Sequence, residues 1–120
     1  MILSKLLIIS SQAPYFSSNA QDAIEAALAA SNVGVKVTYV FANKGLYQLL
    51  TEQKSVLIGK KSLFKQIRAL ALYDIEDLYY IKDDAEALSV SAADIYDEVE
   101  PMDLVSFNRL CDSFDAVLRF

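Results

Sequence analysis

Cys111 is the one thiol in this chain of 120 residues, and no histidine accompanies it. Sulfur nucleophiles act as thiolates, which need exposure and a cationic setting. Cys111 is flanked by Leu110 and lies on the line of Phe107 and Phe114, while Arg109 falls on another helical face. A structural thiol on the inward face of the last helix is therefore expected. Without histidine, a Ser-His-Asp triad, a histidine proton relay and a His-ligated zinc are all excluded. The acids Asp83, Asp84, Asp94, Asp97, Glu98 and Glu100 match no calcium-loop spacing and read as solvated surface, so no metal is expected. Lys54, Lys60, Lys61, Lys65 and Arg68 place five of the eleven basic residues within fifteen positions. That cluster reads as a solvated helix face, and direct nucleic-acid binding is not expected of a chain with net charge −5.

In open α/β sheets ligands bind beyond the carboxyl ends of strands, which directs attention to the loop Ser10 to Asn19. Its serines lie near a helix N-terminus and could hold an anion or a flavin phosphate. The glycines that let a backbone approach phosphate are absent, however, and Ala13-Pro14-Tyr15-Phe16 is bulky. A capped helix start is expected there, or a contact surface made by Tyr15 and Phe16, and no cofactor. The paired acids of a response regulator are missing too, since the first strand leads into Ser10-Ser11-Gln12. Seven Tyr and six Phe without Trp exceed what a small core needs. Tyr15, Phe16 and Tyr47 are candidates for a partner interface, where large rings bury area at little entropic cost. Tyr79 and Tyr80 are expected in the core.

These residues must be positioned by a fold, and the pivotal stretch is Leu70 to Ile81. Leu70 and Leu72 should close the apolar face of a helix over Lys61 to Leu72, with Leu63, Phe64, Ile67 and Ala71 also inward. Asp74, Glu76 and Asp77 mark a bend, and Leu78 to Ile81 reads as a strand covered on both faces. Before it, residues 2 to 9 form a nearly continuous apolar run, the pattern of a central parallel strand. Ser18 and Gln21 suggest a capping box opening a helix that buries Ala20, Ala23, Ile24, Ala27 and Leu28. Asn32 and Gly34 end it, and Val35 to Phe41 form the second strand. A short helix over Asn43 to Leu50, an irregular Thr51 to Gly59 and a helical turn at Ala85 to Leu88 are expected. So are a short edge strand over Ile95 to Val99, a helix opened by Pro101 that turns Leu104, Phe107, Cys111 and Phe114 to one face, and a last strand at Ala116 to Phe120. The alternation predicts an α/β fold, a three-layer α/β/α sandwich on a mainly parallel five-stranded sheet, as one domain over residues 1–120.

With 54% hydrophobic residues the chain can form a real core. No apolar run reaches the roughly 20 residues of a membrane span, and the apolar start is read as a strand and not a signal. A single cysteine fits a reducing cytoplasm. Residues 1–73 carry eight Lys/Arg against three Asp/Glu, a balance of +5, and residues 74–120 three against thirteen, a balance of −10. Such a split favours charged docking surfaces.

Several stretches together resemble the DsrE/DsrF/DsrH family, most closely its TusC (DsrF-like) branch. They are Ser10-Ser11-Gln12-Ala13-Pro14 after the first strand, the Ala-rich helix, Phe41 to Leu50 with its Gly-Leu-Tyr-Gln-Leu-Leu, the bend Leu72-Tyr73-Asp74-Ile75-Glu76, and the terminal Phe114 to Phe120. The resemblance spans nearly the whole chain in order. It implies a cytoplasmic subunit of a TusBCD-type sulfur-relay complex, a dimer of heterotrimers with TusB-like and TusD-like partners. That complex passes persulfide sulfur toward a TusE-like acceptor and 2-thiolation of the tRNA wobble uridine, or serves sulfur oxidation. In the thiol-bearing sister subunit the working cysteine follows the third main strand. Here that place reads Tyr80-Ile81-Lys82-Asp83-Asp84, which implies a non-catalytic, scaffolding role. Two other readings stand beside it: a Cys111-dependent sulfurtransferase, and a small flavodoxin-like binder using the Ser10 to Asn19 loop.

Overall fold

The structure is a computed structural model that describes residues 4–13, 18–50 and 63–120. Five parallel strands, β1 (Lys5–Ser10), β2 (Lys36–Phe41), β3 (Asp77–Ile81), β4 (Glu100–Met102) and β5 (Ala116–Arg119), form one sheet in the order β4-β3-β2-β1-β5. Strands buried on both faces need apolar residues at consecutive positions, and β1 and β2 supply them. Leu6 and Ile8 join Val37, Tyr39, Phe41, Leu78 and Tyr80 in one core layer. Leu7, Ile9, Val40 and Ile81 alternate to the other.

The first layer is closed by α1 (Asn19–Asn32) and α2 (Leu63–Ala69). Buried Ala20, Ala23 and Ala27 carry little side-chain bulk, so α1 can lie close on the sheet. Gly34, at φ +86°, makes the left-handed exit from α1 that a side chain would strain. The second layer is thinner. It is closed by α4 (Leu104–Cys111), through Phe107 with Leu110 and Cys111 packed beside it. A six-residue α3 (Lys82–Ala87) follows directly on β3. The expected sandwich is therefore present, with every described strand pairing parallel.

Several local expectations are corrected. The strand foreseen over Ile95 to Val99 is reduced to a single antiparallel bridge of Ile95 with Leu50, followed by a turn: Ile95 and Val99 are buried, Asp97 and Glu98 are exposed, and the Tyr96 N–H donates to the Leu49 carbonyl at 2.9 Å. The edge strand begins at Glu100 and includes Pro101, which tolerates this place because an edge strand has a side without a ladder. Helix α4 starts later, at Leu104, because Asp103 Oδ1 accepts the Ser106 N–H at 2.7 Å and caps it. Leu104 is exposed and lies outside the apolar face assigned to it.

The helix before β3 tightens to a 3-10 turn over Leu70–Tyr73 and stops at Asp74, φ +65°. Three residues per turn in place of 3.6 rotate the following side chains, so Leu72 is 83% exposed and Ala71 is exposed too. Asn43–Leu49 is a 3-10 helix, not an α-helix. No capping box forms: Ser18 already has helical backbone angles, its hydroxyl donates to Asp22, and Gln21 bonds Gln66 on α2 at 2.8 Å. The expectations for Thr51 to Gly59 and for Lys61 lie outside the described residues. Among those described, no helix is long and apolar enough to cross a membrane.

Asp115 ties the sheet's bottom edge. Its Oδ2 accepts the N–H groups of Ser4 and Lys5, each at 2.9 Å, just where β5 joins β1. Those two donors hold its carboxyl below the usual carboxylate range. A depressed folded pKa contributes stability that is fully present above the unfolded value of about 4 and is lost as pH falls through the folded one. Thermal melts of the wild type and Asp115→Asn should therefore converge as pH is lowered from about 5 to 2. Parallel curves would remove the tie from the pH account.

Candidate functional site

At the carboxyl ends of β1, β2 and β3 the chain fills its own crevice. The 3-10 helix Asn43–Leu49 folds back over this end because Gly45 presses against the end of β1. A Cβ there would collide with the Ser10 carbonyl oxygen and come within 2.9 Å of its carbon. That approach buries Gln48, whose Nε2 donates to Ser10 Oγ and to the Gln12 carbonyl, both at 2.9 Å. Tyr39 is buried beside Ser10, and burial pushes its phenol well above the usual range, with the Ser10 hydroxyl pulling partly back. The neighbouring Ser11 uses both its N–H (2.9 Å) and its hydroxyl (2.8 Å) on the Phe120 carbonyl. Both serines that open the Ser10 to Asn19 loop thus make bonds within the chain.

The tip of β3 is closed in a different way. Ile81 is buried among Leu7, Ile9, Val40 and Phe107. Lys82, exposed, starts α3. Asp84 Oδ2 accepts the N–H of Asn43 at 2.7 Å, holding that residue at φ +49°. Asp83 Oδ1 accepts the Leu104 N–H at 3.2 Å, at the start of α4. Two consecutive carboxylates therefore fasten the loops after β2 and β4 to the end of β3, and the position holds hydrocarbon, a lysine and acid, with no thiol.

Cys111 lies on the inward face of α4, packed on the second core layer, but is only half-buried, because α4 is short and Phe107 is its one buried residue. Burial, and then the charge of Asp112, push its thiol up, with Arg119 partly offsetting them. That is the opposite of what a sulfur nucleophile requires. Tyr47 is half-buried on the 3-10 helix between buried Leu46 and Gln48. Tyr15 and Phe16 lie outside the described residues. Tyr80 is in the core as expected, whereas Tyr79 is half-buried. Of the basic cluster, Lys65 and Arg68 are exposed on α2, with Arg68 5.8 Å over the Phe64 ring; Lys54, Lys60 and Lys61 lie outside the described residues. Among the described residues no group of acids and cysteine could hold a metal ion.

Sequence reasoning missed the parts played by Gly45, Gln48 and Asp84. The available signal was Gly-Leu-Tyr-Gln-Leu-Leu, in which a glycine and a glutamine interrupt an otherwise apolar helical stretch. Both become intelligible once β1 is seen to end beneath them.

The DsrE/DsrF-like family model matches residues 4–120. A protein named TusC homolog from Vibrio vulnificus is 28% identical over 118 residues, which cover 98% of this chain and all of that one. The intracellular sulfur oxidation protein DsrF of Allochromatium vinosum is 26% identical over 133 aligned positions, covering 99% of this chain and 98% of the other. Among solved structures, the ychN protein from E. coli superimposes with a TM-score of 0.84 at 21% identity, covering 98% of this chain and 100% of that one.

Proposed function

The chain belongs to the DsrE/DsrF-like family, and from that premise we propose that it is a non-catalytic subunit of a cytoplasmic sulfur-relay complex, assembled with TusB-like and TusD-like chains as a dimer of heterotrimers. In this reading the complex passes persulfide sulfur to a TusE-like acceptor on the way to 2-thiolation of the tRNA wobble uridine. The family supplies the sulfur chemistry, and the full-length similarity to a TusC homolog and to DsrF supports the assignment to that branch.

The observation that carries the non-catalytic half is the tip of β3. Where the sister subunit's cysteine would stand, at Ile81 or Lys82, the first is buried and the second is an exposed lysine, and the carboxylates of Asp83 and Asp84 hold neighbouring backbone N–H groups. Those acids would raise the pKa of a thiol placed beside them and so disfavour the thiolate. The half-buried, upshifted Cys111 supports the same division of labour. Tyr47, with Tyr15 and Phe16, is proposed as a partner contact.

Co-expression with TusB-like and TusD-like chains of the same genome tests the assembly, and Cys111→Ser tests the chemistry. The expected result is a stoichiometric complex whose transfer of labelled sulfur is unchanged, within about twofold, by Cys111→Ser. A persulfide trapped on Cys111 by mass spectrometry, together with loss of transfer in the serine variant, would make this chain a sulfurtransferase in its own right.

A further inference from the structure

The end of the sheet opposite the β3 tip carries a hollow that the proposed role does not use. Strand β4 first pairs at Glu100, opposite Tyr79, so among the described residues the start of β3 has no strand beside it on that side. The chain before Glu100 turns inward to bury Val99 and Ile95, and a hollow of about 310 Å³ remains between this turn and α2. Ile67, Ala71, Ile75 and Leu78 give it an apolar lining, and Glu76 and Glu98 stand at its rim with Arg68 and Tyr96. A smaller hollow of about 70 Å³ continues from it, past the same two glutamates, to Asp77 and Glu100.

Charge and exposure identify the kind of occupant. Lys36 pairs with Asp77 at 3.8 Å, whereas no described cation forms an ion pair with Glu76, Glu98 or Glu100, and Arg68 is the one described cation that lines the hollow beside them. Arg68 lies 5.8 Å over the Phe64 ring and shares the lining with Tyr96. After burial, the largest influences raising the phenols that border these hollows are carboxylates: Asp77 and Glu100 at Tyr79, Glu98 at Tyr96. Apolar surface continues beyond the rim. The turn that supplies Ala71 also exposes Leu72, and the Ser31 hydroxyl bonds the Tyr73 carbonyl, tying this turn to the C-terminal end of α1, after which Val33 is 78% exposed. A small organic cation would fill the hollow and leave that apolar strip in water. A protein surface covers both.

We infer that this hollow receives a lysine or arginine side chain of a partner subunit, whose alkyl stem packs on Ala71 and the edge of Leu78 while its charge meets Glu76 and Glu98, with apolar partner residues on Leu72 and Val33. The inference rests on the proposed subunit role and adds to it the surface and the chemistry of contact. Long basic side chains suit such a place, since their stems bury on apolar surface while the head stays at the rim.

The test is assembly of the co-expressed complex with Glu76→Lys/Glu98→Lys. Glu25→Lys/Glu86→Lys, on exposed parts of α1 and α3, serves as a control of equal charge change. The groove reversal should weaken assembly at least tenfold while the control assembles like the wild type. Glu76→Gln/Glu98→Gln should weaken it less and lose most of its salt dependence. Hydrogen exchange on the unmodified complex, which needs no variant to fold, should show residues 75–79 slowed relative to the free chain. Equal assembly of the groove reversal and the wild type, or exchange at 75–79 unchanged in the complex, overturns the inference and leaves the subunit role standing. Failure of the wild type to assemble removes both. A homodimer of the free chain that is broken by the same reversal makes the occupant a second copy and overturns the assignment to a different subunit.

Discussion

Gly45→Ala is expected to destabilise the protein by about 1–3 kcal/mol, the range for forcing an extra methyl group into a packed interior. Local propensity argues the other way, since alanine is favoured over glycine in helical segments by about 1 kcal/mol. The steric effect wins because the obstacle is backbone: the new Cβ would meet the carbonyl of Ser10, which cannot rotate aside as a side chain could. Relief requires the 3-10 helix to lift from β1. Lifting it pulls Gln48 from Ser10 and Gln12 and leaves buried polar groups without partners. A comparison with Gly34 separates this mechanism from conformational strain. Gly34 has open space around it and φ +86°, so Gly34→Asn should be tolerated better than Gly34→Ala, because asparagine accepts left-handed angles. At Gly45, asparagine should be no better than alanine. Urea midpoints of the four variants decide the matter, and a Gly45→Ala protein as stable as the wild type would show that the 3-10 helix is free to move.

The same glycine shows why some of this molecule was legible in its sequence and some was not. Strands β1, β2 and β3 announce themselves because burial on both faces leaves a mostly apolar run, broken in β2 only by Thr38, and the alanines of α1 report the closeness of the sheet. Strand β4 is three residues, Glu-Pro-Met, with no period of its own. It becomes a strand because the chain leaving the buried Val99 passes alongside Tyr79, a tertiary fact that no local pattern encodes. Leu72 misled because the 3.6-residue period was carried past the point where the helix tightens. At the site, the lack of a thiol after β3 could be read directly from Ile81, Lys82, Asp83 and Asp84. The use of the two carboxylates as clasps for Asn43 and Leu104 could not, since it depends on the ends of β2, β3 and β4 lying side by side. The hollow beside α2 was invisible for the same reason: Glu76 and Glu98 are 22 positions apart in the chain and meet only across the open start of β3.

Phe107→Ala should cost about 3–5 kcal/mol, the usual loss when a buried phenylalanine is truncated. Here the effect should also be local. The first core layer gathers residues from α1, α2 and the 3-10 helices, whereas the second depends on one buried side chain of α4, only 7% exposed, set against Leu7, Ile9, Val40, Ala42 and Ile81. Without that ring, α4 is held by half-buried Leu110 and Cys111, by half-buried Phe114 just beyond it, and by the bond from its first N–H to Asp83. Its opening free energy should then fall below that of the rest of the molecule. Two measurements distinguish local release from general weakening. Amide exchange in residues 104–111 should accelerate more than exchange in β1 and β2. The Cys111 thiol, half-covered and upshifted in the native protein, should react with an alkylating reagent many times faster than before. Phe107→Leu keeps most of the contact and should move both readouts far less. If Phe107→Ala leaves Cys111 as slow to alkylate as in the wild type, the helix is held by something other than this ring. The thinness of the second layer would then be no weakness, and the β3 tip that α4 helps to cover would owe its closure to the clasps of Asp83 and Asp84 alone.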